Sequence, residues 1–183
     1  MTEAIKNIIC SKANYRLSQF VDFIMPIVLF ALGIVTAQDN NLGTGFFITG
    51  LGYFGWGFLE YTLHRFMYHG NTGIIKYGHT VHHVEPKKKI AMVFFVPLII
   101  QAAMYFGLTP LMGESITLFL TAGFSAGYAY YSFFHVIEHF TIFKSKYYRK
   151  LQIHHDLHHV YPDKNYGVTT QFWDTLFSTK VYQ

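Results

Sequence analysis

The chain has 183 residues, of which 51% are hydrophobic and only 13% are charged, a composition typical of an integral membrane protein rather than a soluble globule. The net charge of +4 does not indicate nucleic-acid binding, because the cations flank apolar segments and form no separate basic domain. Cys10 is the single cysteine, which excludes an intrachain disulfide and a metal site built from several thiolates.

Four stretches of the chain are long and nearly free of charged residues. They are residues 17–37, 40–59, 90–113 and 115–134. Each is about long enough to cross roughly 30 Å of hydrocarbon as a helix, the form in which a membrane span satisfies its own backbone hydrogen bonds. The sequence therefore predicts an all-α fold: a four-span transmembrane helical bundle with a cytoplasmic, histidine-rich cap. We expect a single integral-membrane domain over residues 1–183.

The positive charges predict how these spans are oriented. All fourteen Lys and Arg side chains lie in residues 6–16, 65–89 and 144–180. The two other connections, at Gln38–Asn41 and at Glu114, contain none. By the positive-inside rule, both of these connections face outward. We therefore expect a multi-pass membrane protein with both termini and the active site on the cytoplasmic side.

Glycines recur in the second stretch. Gly43, Gly50 and Gly57 are seven residues apart, which predicts a helix face that packs closely against a neighbouring helix. Gly50, Gly52 and Gly55 also spell G-x-G-x-x-G, but a dinucleotide-binding motif needs a preceding strand. Helix packing is the favoured interpretation.

Ten of the eleven histidines fall into four short groups near the ends of the apolar stretches. The groups are His64 with His69, His79 with His82 and His83, His135 with His139, and His155 with His158 and His159. Histidines three or four positions apart share a helix face, so each of the last three groups can point its imidazoles one way. The pair at 64 and 69 is five apart, which predicts a helix end or a local distortion.

We predict that these ten histidines are metal ligands. Neutral imidazole binds iron, zinc, copper and nickel, and ten nitrogens exceed what one ion can take, so two metal ions are expected. His154 does not fit the spacing and is expected to orient a ligand or to lie on the surface. Glu60, Glu138 and Asp156 are candidates to accept the second ring N–H of a bound imidazole. Asp22, inside the first stretch, is either a functional acid or a solvated side chain near the cytoplasmic end.

One segment allows a different enzyme class. His135, Glu138 and His139 spell H-x-x-E-H, the inverted zinc-peptidase motif in which the glutamate is the general base. A single-zinc hydrolase needs about three protein ligands and one open position, so this interpretation leaves eight histidines unused. It remains the alternative.

The ordered histidine groups around four spans resemble the fatty acid hydroxylase and sterol desaturase superfamily of membrane di-iron enzymes. Further residues resemble its fatty acid 2-hydroxylase branch: E-Y-T-L-H-R-F at residues 60–66, Pro86, G-V-T-T at 167–170 and F-W-D at 172–174. The resemblance covers roughly residues 45–180.

This resemblance implies two iron ions held by the ten histidines, with no catalytic residue beyond the metal ligands. It also implies O2 as co-substrate and hydroxylation of a lipid or fatty acyl C–H bond. Zinc could replace iron in purified protein. Electrons are expected from a separate protein, cytochrome b5-like or ferredoxin-like, because all histidines but one lie in the groups. A lipid, sterol or carotenoid desaturase or hydroxylase of the same superfamily remains possible.

Overall fold

The structure is a computed structural model that describes residues 3–37, 42–70 and 73–182. Within these ranges the chain forms α-helices and one π-helical turn, and no β-strand, so the predicted all-α class is confirmed. The helices are α1 (Glu3–Ile9), α2 (Lys12–Thr36), α3 (Leu42–Leu63), α4 (Gly73–Val84), α5 (Phe95–Met112), α6 (Glu114–Ile137), α7 (Lys146–Val160) and α8 (Phe172–Leu176), and the π-helical turn spans His64–Tyr68. The connection predicted at Gln38–Asn41 lies outside the described residues.

The four long helices α2, α3, α5 and α6 overlap the four predicted stretches, although α2 begins earlier, at Lys12, and α3 and α6 end later, at Leu63 and Ile137. The third stretch was predicted from residue 90, whereas α5 begins at Phe95. Asn14 of α2 explains the late start, because its amide donates to the carbonyl oxygens of Ala91 at 3.3 Å and Met92 at 3.2 Å. The same side chain accepts from the Phe94 N–H at 3.2 Å. These bonds stabilise a non-helical segment between α4 and α5.

Helix α6 lies at the centre of the bundle and packs against α2, α3 and α5. Its closest approach is to α3, where Gly52 and Gly123 face each other. A Cβ added to Gly52 would lie 2.2 Å from the Leu120 carbonyl oxygen, and one added to Gly123 would lie 2.1 Å from that of Thr49. Gly50, by contrast, has nothing within 4 Å of an added Cβ. The packing face predicted through Gly50 is therefore wrong, and Gly52, two residues further, makes the contact.

Replacing Gly123 by leucine should destabilise the bundle. The backbone atoms of α3 cannot move aside as a flexible side chain could. We therefore expect the free energy of unfolding to fall by about 1–3 kcal/mol. The same substitution at Gly50 has free space and is the control. Thermal unfolding of the detergent-solubilised variants measures both. Equal stability of the Gly123 and Gly50 variants would contradict this helix crossing.

Two of the long helices, α2 and α5, are long and apolar enough to cross a membrane. Helix α3 spans 22 residues, about 33 Å at 1.5 Å per residue, and exposes Phe46, Phe47 and Phe54. Helix α6 is largely covered by its three neighbours, so its polar side chains Thr117, Thr121 and Ser125 are buried. At one end of the bundle, the π-helical turn, α4, α7 and the carboxyl-terminal segment come together.

Candidate metal centre

The ten predicted histidines all lie at this end of the bundle. Five can offer one nitrogen each within 4.8 Å of one another: His64, His69, His79, His83 and His158. We call these the first group. Four more do the same: His82, His135, His139 and His155. We call these, together with His159, the second group, because His159 Nε2 lies 3.1 Å from His82 Nε2 and 3.0 Å from His155 Nε2.

In the first group the Nε2 atoms converge on a common space. The Nε2 atom of His79 lies 3.1 Å from that of His64, 2.9 Å from that of His69 and 2.9 Å from that of His83. His158 Nε2 lies 3.0 Å from His69 Nε2 and 3.1 Å from His83 Nε2. A neutral imidazole carries one proton, so such a set cannot be satisfied by mutual hydrogen bonds alone.

The second group converges in the same way. His155 Nε2 lies 3.1 Å from His139 Nε2 and 3.4 Å from His82 Nε2. The His135 ring centroid is 4.2 Å from that of His82 and 4.6 Å from that of His155. His135 Nε2 is buried and has no hydrogen-bond partner among the described residues. An unpaired buried nitrogen aimed at other imidazoles fits a metal ligand.

Each H-x2-H-H motif divides its histidines between the two groups. His79 and His83 join the first group and His82 the second, so the expectation that all three point one way is wrong. Successive helical residues are about 100° apart, so positions i and i+4 diverge by only about 40° but i+3 and i+4 by about 100°. In α7 the arrangement is reversed, because His155 and His159 join the second group and His158 the first. Two helices thus supply both groups.

The π-helical turn brings His64 and His69 together, as the five-residue spacing predicted. The His69 N–H donates to the His64 carbonyl oxygen at 3.4 Å, an i to i−5 bond that closes one π turn. Their rings are stacked with centroids 5.3 Å apart. An ordinary helix would place positions five apart on different sides, so the distortion is what lets both imidazoles join the first group.

Backbone carbonyls set the tautomer of two histidines. His64 Nδ1 bonds to the Tyr166 carbonyl oxygen, and His158 Nδ1 bonds to that of Lys164 at 2.6 Å. Because a carbonyl only accepts, both Nδ1 atoms must carry the proton and donate it. The lone pair is then on Nε2, which faces the first group. A second hydrogen bond that fixes the ring and frees one nitrogen is typical of metal-bound histidine.

The residues therefore fit metal binding: each group could hold one ion, with nitrogen donors suited to iron or zinc. Adjacent rings connect the groups, because the His83 and His159 centroids are 4.4 Å apart.

Burial keeps these imidazoles neutral. It is the main cause that lowers the pKa of His82 to about 2, of His83 and His139 to about 4, and of His158 and His159 to about 3. Below pH 6.5 these histidines bind protons in the unfolded chain but not in the folded chain, so folding stability is lost progressively as the pH falls from 6.5 towards these values. We expect the unfolding temperature of chelator-treated protein to fall steadily from pH 7 to pH 4. A constant unfolding temperature over that range would contradict the assignment of buried, neutral histidines.

The three candidate carboxylates differ in position. Glu138 Oε1 lies 3.6 Å from His155 Nε2, near an imidazole but beyond a hydrogen bond. Glu60 instead accepts from the backbone N–H groups of Val168 and Thr169, at 2.6 and 3.0 Å. Asp156 is exposed. Only Glu138 is therefore close to a histidine of the groups.

His154 and Asp22 are both buried. His154 Nε2 lies 3.0 Å from Asp174 Oδ2, so the alternative that His154 lies on the surface is wrong. Asp22 is 1% exposed inside the bundle, which disfavours a solvated role. Asp174 was noted in the sequence only as part of a resembling tail, and no spacing signal linked it to a histidine twenty residues away.

The geometry disfavours the single-zinc hydrolase. His135 and His139 share their site with His82, His155 and His159, so five nitrogens lie together where a single-zinc hydrolase has about three protein ligands. Burial raises the pKa of the Glu138 carboxyl group well above its usual value.

A cavity of about 260 Å³ adjoins both groups. His79, His82 and His135 form one part of its wall, whereas Ile75, Ile90, Met92, Val93, Val96 and Val136 form much of the rest. A smaller cavity of about 90 Å³ lies between α3, α5 and α6 and shares the lining residues Tyr68, Met92 and Tyr128 with the larger one. Two mostly apolar cavities therefore adjoin each other, and the larger one reaches the imidazoles.

Comparisons with known proteins give a consistent set of relatives. A family model described as fatty acid hydroxylase matches residues 49–179, more than half of the chain. The chain is 29% identical to a dihydroceramide fatty acyl 2-hydroxylase of Arabidopsis thaliana, over 85% of this chain and 69% of the relative. It is 32% identical to the ceramide very long chain fatty acid hydroxylase of Saccharomyces cerevisiae, over 85% of this chain and 43% of the relative. Mouse fatty acid 2-hydroxylase is 31% identical, over 79% and 41%.

A solved structure has the same fold. It is full-length scs7p with only the hydroxylase domain visible, and it superposes with a TM-score of 0.78 at 24% identity. The match covers 92% of this chain and 67% of that chain. The chain spans less than half the length of the yeast and mouse relatives, so it corresponds to one part of them.

Proposed function

Because the chain belongs to the fatty acid hydroxylase family, we propose that it is a membrane enzyme that hydroxylates a C–H bond of a lipid or fatty acyl chain. The observation that carries the proposal is the apolar cavity whose wall includes His79, His82 and His135. A mostly apolar cavity next to two nitrogen-rich groups suits an acyl chain held beside metal ions. The relatives named as acyl and ceramide hydroxylases support the same substrate class.

The ten histidines are the proposed metal ligands, five in each group, and the native metal is proposed to be iron. Two iron ions bound there would supply the O2 activation that an unreactive C–H bond requires. The protein itself would hold the rings. It keeps the imidazoles unprotonated through burial and directs Nε2 of His64 and His158 inward through their Nδ1–H bonds. No residue beyond the ligands is proposed as catalytic.

We propose that the walls of the larger cavity position the substrate. Side chains such as Val93 and Val136 would position the acyl chain and exclude water from the carbon that reacts. The smaller cavity between α3, α5 and α6 would take the remainder of the chain from the bilayer side.

We further propose that residues 1–183 form one integral-membrane domain with four spans. Helix α3 is long enough to cross and exposes aromatic side chains, and α6 is covered by the other three long helices. The positively charged segments support a cytoplasmic position for both termini and for the histidine groups.

Hydroxylation with O2 consumes two electrons, and we propose that a separate cytochrome b5-like or ferredoxin-like protein delivers them. Ten histidines belong to the groups, and His154 is bound to Asp174. These residues therefore leave no histidine for a haem, and one cysteine cannot hold an iron–sulfur cluster.

Metal analysis of the purified, detergent-solubilised chain tests this proposal. We expect two metal ions per chain, iron or zinc, since imidazole sites accept either during expression. One zinc ion that depends on His135 and His139 would support the hydrolase instead. Protein without metal would overturn both. Desaturation of a lipid, sterol or carotenoid is distinguished by the product, which loses two hydrogens where hydroxylation adds an oxygen.

A further inference from the structure

The segment that follows α7 contacts the first histidine group through its backbone, and a buried carboxylate holds that segment. We propose that Asp174 is a positioning residue for the first group, acting on His64 through the peptide bond between Tyr166 and Gly167. The inference rests on the proposed function only in taking the first group as a metal site.

Asp174 is fully buried, and its carboxylate accepts four hydrogen bonds. Oδ1 accepts from the Tyr166 N–H at 2.9 Å and from the Thr179 hydroxyl at 2.7 Å. Oδ2 accepts from the Gly167 N–H at 2.7 Å and from His154 Nε2 at 3.0 Å. The carboxylate therefore fixes two successive backbone N–H groups with charge-assisted bonds, which are about twice as strong as neutral ones.

One peptide unit connects this carboxylate to His64. The Gly167 N–H and the Tyr166 C=O belong to the same trans peptide and point in opposite directions. Asp174 binds the N–H side, and the C=O side accepts from His64 Nδ1. The hydrogen-bond chain runs from Asp174 through the peptide to His64, whose Nε2 faces the first group. The negative charge of the Asp174 carboxylate polarises the Gly167 N–H that it binds. The Tyr166 carbonyl oxygen of the same peptide is then a stronger acceptor, because hydrogen bonds in a chain polarise one another.

The peptide between Lys164 and Asn165, two peptide bonds earlier, repeats the arrangement for His158. The Lys164 C=O accepts from His158 Nδ1, and the Asn165 N–H of the same peptide donates to the Thr179 carbonyl oxygen at 3.0 Å. The Thr179 hydroxyl donates to the Asp174 carboxylate, and the Thr179 N–H donates to the backbone carbonyl oxygen of Asp174 at 2.9 Å. Asp174 thus stabilises both carbonyls that orient ligands of the first group. The ligands of the second group have no such bond to this segment among the described residues.

The close contact of this peptide with Thr170 and Asp174 also explains why residue 167 is a glycine. A Cβ there would lie 2.0 Å from the Thr170 carbonyl oxygen and 3.0 Å from Asp174 Oδ2. Any side chain would push the peptide away from the carboxylate.

Glu60 provides a matched comparison, since it is buried and binds the same segment two residues further on. It accepts from Val168 and Thr169, whose peptides present no carbonyl to a histidine among the described residues. If Asp174 had a purely structural role, replacing Asp174 or Glu60 would have the same effect on metal affinity. If Asp174 positions His64, only its replacement lowers the affinity of the first group.

The experiment titrates the metal-free, detergent-solubilised full chain with Co²⁺ and follows visible absorption, which reports each nitrogen site as it fills. In Asp174→Asn, one carboxylate oxygen is replaced by an NH2 group. This group cannot accept the backbone N–H of Tyr166 or Gly167 that it faces. We expect the affinity of one site to fall roughly 10- to 100-fold, the usual effect of removing a partner of a metal-bound histidine, while the other site keeps its affinity. Glu60→Gln should lower the unfolding temperature and leave both affinities within about threefold.

Three results would overturn the inference: equal loss at both sites in Asp174→Asn, unchanged affinity in that variant, or the same selective loss in Glu60→Gln. If Asp174→Asn does not fold, Thr179→Val removes one bond to the carboxylate, and it should produce a smaller loss at the same site; unchanged binding there would also overturn the inference. Absence of Co²⁺ binding by the unmodified chain would be a different failure, because it would refute the metal sites of the proposed function.

Discussion

Replacing His158 by alanine is expected to remove the metal ion of the first group and to reduce lipid hydroxylation more than about 100-fold. Loss of a residue that merely supports a ligand already costs 10- to 100-fold in metal affinity or activity, so loss of a ligand should cost more. His158 is fully buried, and its Nε2 faces His69 and His83. Metal content per chain and product formation in reconstituted membranes measure the two effects.

His154 provides the control on the same helix. It is buried and only one residue from a proposed ligand, but its ring bonds to Asp174 and belongs to neither group. His154→Ala should lose about 1–3 kcal/mol of stability, because one carboxylate lone pair is left unpaired, and should keep both metal ions. Retention of two metal ions by His158→Ala, or their loss from His154→Ala, would contradict the assignment of ligands.

Substituting Gly78 by leucine is expected to block the substrate without removing metal. Gly78 lines the larger cavity, and an added Cβ would meet only Ile90 Cγ2, at 4.0 Å. The leucine side chain can therefore extend into the cavity without a backbone clash, and leucine is a better helix former than glycine. We expect kcat/KM to fall at least tenfold, about 1.4 kcal/mol of transition-state stabilisation, with unchanged metal content.

Gly107→Leu is the matched control, because Gly107 lies in α5 with nothing within 4 Å of an added Cβ and does not line either cavity. It should retain activity. Full activity in Gly78→Leu would mean that the lipid does not occupy this cavity.

The long helices were predictable from the sequence because apolar stretches long enough to span a membrane have few alternatives. The errors arose where contacts between residues distant in sequence determine the structure. Asn14 holds residues 91–94 out of the helix through bonds between positions about eighty apart, which no local pattern reveals. Likewise, regular glycine spacing identified α3 as a packing helix. It did not show which face of α3 meets α6, since that depends on the position of Gly123 in α6.

The histidines were predictable as a set, and the division between two groups was not. Spacing shows which imidazoles can share a face, but His82 and His83 diverge by about 100°, enough to face two different points. Which point each one faces depends on where α7 lies. The five-residue spacing of His64 and His69 did signal a distortion, because no regular helix could bring both rings together.

The carboxyl-terminal segment was the least predictable part of the site. Its contributions to the first group are backbone carbonyls, which every residue carries, so no residue type marks them. Asp174 shows its role only when the fold brings it to the Tyr166–Gly167 peptide.

We propose that this chain adds an oxygen atom from O2 to a lipid. The most direct test incubates the iron-loaded enzyme in lipid vesicles with an electron-transfer protein and ¹⁸O2, and then measures the lipid products by mass spectrometry. We predict a product that carries one ¹⁸O atom on its acyl chain and that is absent with His158→Ala. A product that has lost two hydrogens without gaining ¹⁸O would contradict hydroxylation in favour of desaturation, and a product with oxygen only from water would contradict the oxygenase altogether.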